Sequence, residues 1–202
     1  MPLSEAIQHR RTIYALNKNI PIDDKKIEEI VKHAVLHVPS SFNSQSARVV
    51  VLVKEEHDKF WDLTTEILKG IVPAEQWEHT GNRVAGFRAA YGTILFYEDP
   101  GPVKKLQETY KIYADKFPQW SEHTSAMHQY AIWTMLEAEG VGCNLQHYNP
   151  LPDQKAAATW NIPQDWSLKA QLVFGGIQDG AREKLPQKDQ TPLNERLFMH
   201  GA

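Results

Sequence analysis

The chain has 202 residues, of which 42% are hydrophobic and 23% charged, a composition typical of a globular domain with a sizeable core and not of a disordered chain. Its net charge of -3 at pH 7 supplies no overall positive field to attract nucleic acid or an anionic membrane surface. We therefore expect no nucleic acid and no membrane among its partners.

Two helices are predicted in the first 40 residues. The first begins at Ser4, a suitable capping residue, and carries residues 9–12 in its last turn. Asp23 or Asp24 caps the second helix, which Pro39 ends. The apolar residues of this second helix recur at helical spacing and fall on one stripe: Ile27, Ile30, Val31, Ala34, Val35 and Val38.

A strand and a helix are predicted next. The run Arg48–Lys54 is apolar enough for a buried strand, and the pattern from His57 to Lys69 predicts a helix with four inward residues: Phe60, Leu63, Ile67 and Leu68. Residues 70–92 contain several glycines and give mixed signals. Trp77 and Phe87 indicate that part of this stretch packs as a helix.

The second half of the chain adds two strands and three helices. Residues 93–97 predict a strand, and residues 103–117 predict a helix. A long helix over residues 124–139 has an apolar face that we expect to be buried: Met127, Tyr130, Ala131, Met135 and Ala138. Asp153 caps a shorter helix, and residues 169–175 predict a third strand. The pattern predicts one α+β domain with helices around a small sheet.

The first polar motif is His9-Arg10-Arg11-Thr12, which places two guanidinium groups and a hydroxyl on one predicted helix turn. Arginine binds phosphate oxygens through two parallel hydrogen bonds. The same residues also fit a solvated basic helix face. The motif by itself leaves a phosphate site and a plain surface as alternatives.

Two further polar stretches border apolar segments. Residues 39–46 (PSSFNSQS) offer hydrogen-bond donors and acceptors in alternation, as the edge of a planar heterocycle requires, although the same residue types also form ordinary loops. Residues 140–150 (GVGCNLQHYNP) bring Asn144, Gln146 and His147 together. Their Gly-x-Gly follows a helix rather than a strand, so it is no dinucleotide fingerprint.

Common catalytic motifs are absent from the sequence. It contains no Gly-x-Ser-x-Gly elbow and no complete phosphate-binding P-loop. His33 and His37 are four residues apart and could share a metal ion, but no third ligand is evident. We therefore expect no metal site.

Four motifs in this order resemble the FMN-dependent nitroreductase family. They are Arg10-Arg11-Thr12, the loop PSSFNSQ over residues 39–45, Gly140-Val141-Gly142, and the basic tail segment Lys184-Leu185-Pro186-Gln187-Lys188. The resemblance covers nearly the whole chain, residues 1–202, as one domain. It looks most like the short fungal and bacterial branch linked to fatty-acid repression.

The resemblance implies a nitroreductase-like fold, with a small and mostly antiparallel sheet surrounded by helices. It also implies a homodimer with an FMN site at the interface. The phosphate and ribityl chain would be bound by Arg10, Arg11, Thr12 and Lys188, with Lys184 or Arg182 as alternative tail cations. The isoalloxazine ring would be bordered from the partner chain by Pro39, Ser40, Ser41, Asn43 and Gln45, and further contacts would come from Leu145, Gln146 and His147.

The activity implied by the resemblance is reduction of nitroaromatics or quinones with NAD(P)H as co-substrate. Hydride would pass to flavin N5 and then to the acceptor in a ping-pong scheme, with no catalytic side chain. Two other functions stay open: a flavin-binding regulatory or redox-sensing protein linked to lipid metabolism with little turnover, and an interaction domain without a cofactor.

Three features depart from the family pattern. Ser46-Ala47 follows the loop glutamine, Tyr14 stands where many members have a basic residue, and a lysine replaces the usual tail arginine.

The sequence also bears on the cellular compartment. The single cysteine, Cys143, has no partner for an internal disulfide, which permits a reducing environment. Residues 1–11 hold no apolar core of a signal peptide, and no run approaches the roughly 20 apolar residues of a membrane-spanning helix. We therefore expect a cytoplasmic protein.

Overall fold

A five-stranded sheet lies at the centre of the fold, which a computed structural model describes over residues 1–201. The strands are β1 (Leu16–Asn17), β2 (Ala47–Val53), β3 (Gly92–Glu98), β4 (Gly142–Gln146) and β5 (Ser167–Ile177). β5 pairs with β1, β3 and β4, and β3 also pairs with β2, in each case antiparallel. The expected α+β class with a small antiparallel sheet is confirmed.

Within the same residues the chain forms seven α-helices: α1 (Leu3–His9), α2 (Asp24–His37), α3 (Lys54–Lys69), α4 (Ala74–Arg88), α5 (Pro100–Thr109), α6 (Phe117–Ala138) and α7 (Asp153–Thr159). Asp23 caps α2 by accepting the backbone N–H of Lys26. Pro152, rather than Asp153, occupies the cap position of α7. The mixed stretch over residues 70–92 contains α4, as its aromatic residues indicate.

Each face of β3 packs into its own apolar core. Ile94 and Phe96 pack in the core that includes residues of α2 and α6. Leu95 and Tyr97 pack in the core that includes residues of α3, α4 and α7. A strand covered on both faces is apolar at most of its positions, because side chains alternate between the faces. The three predicted strands accordingly correspond to β2, β3 and β5, within two residues at each end.

The predicted helical setting of the two arginines is wrong. α1 ends at His9, and Arg10 already has an extended conformation with ψ of 125°. Thr12 forms a parallel bridge with Cys143. Residues 10–12 therefore lie in extended chain beside β4 and not on a helix turn.

Two other element predictions need correction. Residues 142–146 form β4, a strand that the polar residues of this stretch had hidden, and β1 was not predicted either. The helix predicted over residues 103–117 stops at Thr109, and Phe117 begins α6 instead of ending the previous helix.

The buried face of α6 also differs from the predicted one. Met127 and Tyr130 are exposed, whereas Ser121 and Thr124 are buried. Burial of these hydroxyls is possible because both are hydrogen-bonded, Ser121 to the carboxylate of Glu98 and Thr124 to a helix carbonyl. Part of the apolar surface of α6 is therefore left uncovered in a single chain.

Candidate active site

Arg10 and Arg11 lie where the chain leaves α1 and runs beside β4. The guanidinium carbon of Arg10 lies 4.4 Å from the ring centre of Trp133 on α6. The backbone N–H of Arg11 donates to Oε1 of Glu137 at 2.9 Å, and its Nη2 donates to the carbonyl of Pro186 at 2.7 Å. Helix α6 and the C-terminal tail therefore hold this pair of arginines.

The tail supplies two more cations. Nη2 of Arg182 donates to both carboxylate oxygens of Glu137, at 2.9 and 2.7 Å, and Nζ of Lys188 donates to a backbone carbonyl of α1 at 2.6 Å. Loss of solvent, followed by the charges of Arg10 and Arg11, lowers the pKa of Lys188. We call Arg10, Arg11, Arg182 and Lys188 the cation cluster. Because Glu137 neutralises one of these four charges, the cluster suits a dianion such as a phosphate monoester.

Hydrogen bonds join the segment after the arginines to β4. The N–H of Ile13 donates to the carbonyl of Cys143 at 2.9 Å. Nδ2 of Asn144 donates to the carbonyl of Ile13 at 2.9 Å, and Nε2 of Gln146 donates to Oδ1 of Asn144 at 2.8 Å. Burial raises the pKa of the Cys143 thiol well above its usual value, so this thiol is neutral and unreactive at pH 7.

The three site residues predicted on and after β4 have different environments. Gln146 is buried on the same strand face as Asn144. Leu145 packs into the core next to α2 and α6, on the opposite face, because strand side chains alternate. His147 is exposed beyond the end of the strand.

The serine loop, residues 39–46, connects α2 to β2 in a strained conformation. Phe42, Asn43 and Gln45 have φ angles of 54°, 52° and 48°, a region that residues other than glycine rarely occupy. Oγ of Ser40 accepts the N–H of Gln45 at 3.0 Å, and Nη1 of Arg48 donates to the carbonyl of Gln45 at 2.7 Å. Strained backbone that is fixed in this way is common at binding sites.

A buried carboxylate anchors the end of the serine loop. Oε2 of Glu98 accepts hydrogen bonds from Oγ of Ser46 and Oγ of Ser121, each at 2.6 Å. Burial raises the pKa of Glu98, and the two hydroxyl bonds oppose this rise. Ser46, one of the departures from the family pattern, thus links the loop to β3 and α6.

The predicted loop residues share one surface. Ser40, Asn43 and Gln45 line a cavity of about 280 Å³, together with Arg48 and His128. On the same loop Pro39 is exposed and Ser41 is half-buried.

The cation cluster and the serine loop contact different parts of α6. His128 lines the loop cavity, whereas Glu137 binds the cluster. At 1.5 Å per residue, these two positions are roughly 13 Å apart along the helix axis. The predicted tail residue Lys184 lies beside Gly180 and makes no side-chain hydrogen bond within the described residues. One chain therefore presents two separate groups of predicted site residues.

Tyr14, another departure from the family pattern, lies next to a cation from a different element. The guanidinium carbon of Arg83 on α4 lies 5.8 Å from the ring centre of Tyr14. Both residues line an open cavity of about 400 Å³ with His79, Asn82, Gly86 and Phe87. A positive charge is thus present near position 14, although α4 supplies it.

Four residues around these groups were not expected from the sequence: Trp133, Glu137, Arg83 and Glu98. The sequence signal that could have identified Glu137 is its position: it is an acidic residue close to the end of an apolar helix. Arg83 and Glu98 carry no local signal, because their partners Tyr14 and Ser46 are distant in sequence.

Across residues 1–201, none of the helices combines the length and the apolar character needed to span a membrane. The same residues hold no group of three or more His, Cys, Asp or Glu side chains arranged for a metal ion. The rings of His33 and His37 instead pack 4.6 Å apart.

The chain is similar to known proteins over most of its length. A family model described as "Nitroreductase family" matches residues 7–176. Two Saccharomyces cerevisiae proteins, HBN1 and the nitroreductase FRM2, are 40% and 35% identical over 169 and 174 residues. These matches cover 82% and 84% of this chain, and 83% and 85% of the yeast proteins.

Solved structures show the same fold. Nitroreductase CinD from Lactococcus lactis in complex with chloramphenicol has a TM-score of 0.88 at 40% identity, covering 99% of this chain and 100% of its own. Structures of CinD in complex with 4-nitrophenol and with nicotinic acid have TM-scores of 0.87 and 0.84. The arrangement of helices around an antiparallel sheet is therefore that of a nitroreductase.

Proposed function

Because this chain belongs to the nitroreductase family and is therefore an oxidoreductase, we propose that it is an FMN-dependent enzyme that uses NAD(P)H to reduce nitroaromatics or quinones. CinD, which is 40% identical, has been solved with chloramphenicol and with 4-nitrophenol. Both compounds carry a nitrophenyl group, which supports an acceptor of this class.

The cation cluster is the observation that carries this proposal. A phosphate monoester requires several positively charged donors, and the cluster offers three guanidinium groups and one ammonium group, of which only the Arg182 guanidinium is paired with the Glu137 carboxylate. The buried Nδ1 of His9, next to Arg10 in the chain, has no hydrogen-bond partner within residues 1–201. The residues present therefore fit the phosphate of FMN.

FMN would supply the hydride chemistry, with NAD(P)H as the reductant and the nitroaromatic or quinone as the oxidant. The side chains of this protein would bind the cofactor and orient it. Arg10, Arg11 and Lys188 would hold the phosphate, and the Arg83 cation beside Tyr14 would stabilise negative charge on the ring. Ser40 and Asn43 of the serine loop would provide hydrogen bonds to the ring edge from the partner chain.

A homodimer is part of the proposal because one chain does not bring the serine loop to the cation cluster. An uncovered apolar surface supports the dimer. Ile7 of α1 and Met127 and Tyr130 of α6 are 43%, 40% and 44% exposed, and α1 packs directly on α6. A second copy of the chain would cover this surface and bring the two groups of residues together.

Turnover with an electron acceptor tests the function. We expect the FMN-loaded protein to oxidise NADH or NADPH rapidly when 4-nitrophenol or a quinone is present, and slowly without an acceptor. A protein that is reduced by NAD(P)H but is not reoxidised by either acceptor would be the redox sensor considered above, and the enzyme proposal would fail.

A further inference from the structure

Glu98, at the end of β3, is a buried carboxylate whose position costs stability. It is 4% exposed, and its Oε1 has no hydrogen-bond partner within residues 1–201. Lys169 on β5, whose charge acts on Glu98, is bound to Glu122 at 2.6 Å instead. Burial of a charge that is not paired with a cation lowers stability. Packing of the core alone therefore does not account for a glutamate at this position.

The hydrogen bonds of Glu98 join the serine loop to α6. Its Oε2 accepts from Oγ of Ser46, the last residue of the loop, and from Oγ of Ser121 on α6, each at 2.6 Å. Hydrogen bonds to an ionised acceptor are shorter than neutral ones and roughly twice as strong. A glutamine would make the same two bonds more weakly, so the charge of Glu98 strengthens the attachment of the loop.

Asp99, the next residue, attaches the loop a second time. Its backbone N–H donates to the carbonyl of Ser46 at 2.9 Å, and its carboxylate accepts from Nη2 of Arg48 at 2.7 Å. Nη1 of Arg48 in turn donates to the carbonyl of Gln45 at 2.7 Å. The end of the serine loop is therefore held to the end of β3 through its side chain and through its backbone.

These attachments matter because the loop has a strained backbone. Phe42, Asn43 and Gln45 have left-handed φ angles, which residues other than glycine leave unless the surrounding structure holds them there. Asn43 is itself one of the strained residues, and Oγ of Ser40 is bonded to the N–H of Gln45. The directions of these two polar side chains therefore depend on how firmly the end of the loop is anchored.

We propose that Glu98 is a positioning residue for the cofactor ring: it holds Ser46, and through it the serine loop, in the conformation that contacts the ring bound by the partner chain. Glu98 does not touch the cofactor and acts through Ser46. A loop that is already ordered binds more tightly, because less freedom is lost on binding. This inference rests on the proposed function and deepens it by naming the residue that orders the loop.

Glu98→Gln separates positioning from stability. The variant keeps the shape and an acceptor oxygen but removes the charge, so it should raise the Kd of FMN about 3- to 10-fold through weaker bonds to the loop. Urea unfolding of the flavin-free protein at pH 8 should show no loss of stability, because a buried charge is removed. A variant that is less stable and keeps its FMN affinity would show that Glu98 has a structural role only.

Ser46→Ala tests the same link from the side of the loop. It should raise the Kd of FMN about 10-fold, because a hydrogen bond to a charged group is lost. The double variant with Glu98→Gln should bind FMN no more weakly than Ser46→Ala alone, since both substitutions break one link. Losses that simply add would place the effect of Glu98 elsewhere and overturn the proposal.

Thr124→Val is the matched control on α6. Thr124 is a buried hydroxyl one turn after Ser121, but it donates to the carbonyl of Trp120 at 3.1 Å and not to Glu98. Its replacement should leave FMN affinity unchanged, whereas Ser121→Ala should weaken FMN binding. Equal effects of the two substitutions would mean that any lost α6 hydroxyl matters, and the role of Glu98 would be overturned.

The visible absorption spectrum of bound FMN shows whether the effect reaches the ring, because hydrogen bonds to the ring alter its electronic state. At saturating FMN, Glu98→Gln and Ser46→Ala should shift the absorption bands, whereas Arg10→Ala, which affects the phosphate, should not. Unshifted bands in all three variants would overturn the proposal. An unaltered protein that binds no FMN would overturn the proposed function itself, a result distinct from FMN bound equally well by every variant.

Discussion

Arg10 and Lys188 come from opposite ends of the chain, and each has a side chain available for an anion beside Glu137. Arg10→Ala or Lys188→Ala should weaken FMN binding, because a hydrogen bond to a charged group contributes about 1.5–3 kcal/mol. This loss corresponds to roughly 10- to 150-fold in Kd. Flavin fluorescence during dilution of the loaded protein measures it.

Lys184→Ala is the control for this experiment. Lys184 is an exposed tail lysine like Lys188, but it lies beside Gly180 instead of in the cation cluster. Its replacement should leave FMN affinity unchanged. Equal losses in Lys184→Ala and Lys188→Ala would mean that general positive charge, and not the geometry of the cluster, binds the phosphate.

His57 is a fully buried residue whose protonation affects stability. Its Nδ1 lies 2.8 Å from Oγ1 of Thr93, and the indole N–H of Trp61 donates to the same hydroxyl at 2.9 Å. Since that oxygen already accepts from Trp61, its own proton can be donated to Nδ1 of a neutral imidazole. Burial accordingly lowers the pKa of His57 to about 4, from 6.5 in the unfolded chain.

The sign of the resulting pH effect follows from these two values. The unfolded chain takes up a proton on His57 below pH 6.5 and the folded protein does so only near pH 4, so acid favours unfolding. About 3 kcal/mol of stability is present above pH 6.5 and is lost as the pH falls toward 4. Urea unfolding from pH 7 to 4.5 should show a smaller decrease for His57→Gln, and parallel curves for the two proteins would contradict this account.

At the scale of elements, a strand with both faces buried was predictable from sequence. β3 is buried along its length and apolar over residues 94–97, because both of its faces are covered. Asp23 caps α2, as its position before an amphipathic stretch indicates. β4 was not predicted because it contains the polar residues Asn144 and Gln146. These side chains are buried, and they are hydrogen-bonded to each other and to the carbonyl of Ile13. Such bonds join segments that are distant in sequence, so no local pattern reveals them.

The orientation of α6 was not predictable for a related reason. Its periodicity places Met127 and Tyr130 on an apolar face, yet both are exposed, and Ser121 is buried against Glu98. Helical spacing shows that a face is apolar without showing whether the chain's own core or another chain covers it. The same limit applies to the candidate site. Its motifs could be identified from the sequence, but the contacts of Arg83 and Glu137 could not be predicted from it.

Gly92 tests the close packing of β3 against its neighbours. A Cβ at this position would overlap the ring of Phe174 and lie 2.9 Å from the carbonyl oxygen of Leu52. Gly92→Ala should therefore lower the free energy of unfolding by about 1–3 kcal/mol, as overpacking does. Thermal or urea unfolding measures the change.

Gly86→Ala is the contrasting substitution. Gly86 lies within α4, and nothing is found within 4 Å of the Cβ that alanine would add. Alanine should raise the free energy of unfolding by up to about 1 kcal/mol, because it favours the helix. Two glycine variants of equal stability would show that the packing around β3 is looser than described.

At the scale of the whole molecule, the apolar surface of α1 and α6 predicts association. Light scattering should give twice the chain mass of 23.1 kDa. Tyr130→Glu places a charge in this surface and should reduce the measured mass to that of one chain, with loss of FMN. Ile71→Glu is the control, since Ile71 is 57% exposed in the turn between α3 and α4. A monomer that keeps FMN would rule out a site shared between chains.

The visible absorption spectrum of the purified protein, recorded anaerobically before and after addition of NADH or NADPH, tests the central claim most directly. The cation cluster and the family both predict a bound flavin whose absorption bleaches when the nicotinamide is added. A colourless protein that also fails to bind added FMN would contradict the account, because the cation cluster and the serine loop would then have no cofactor to hold.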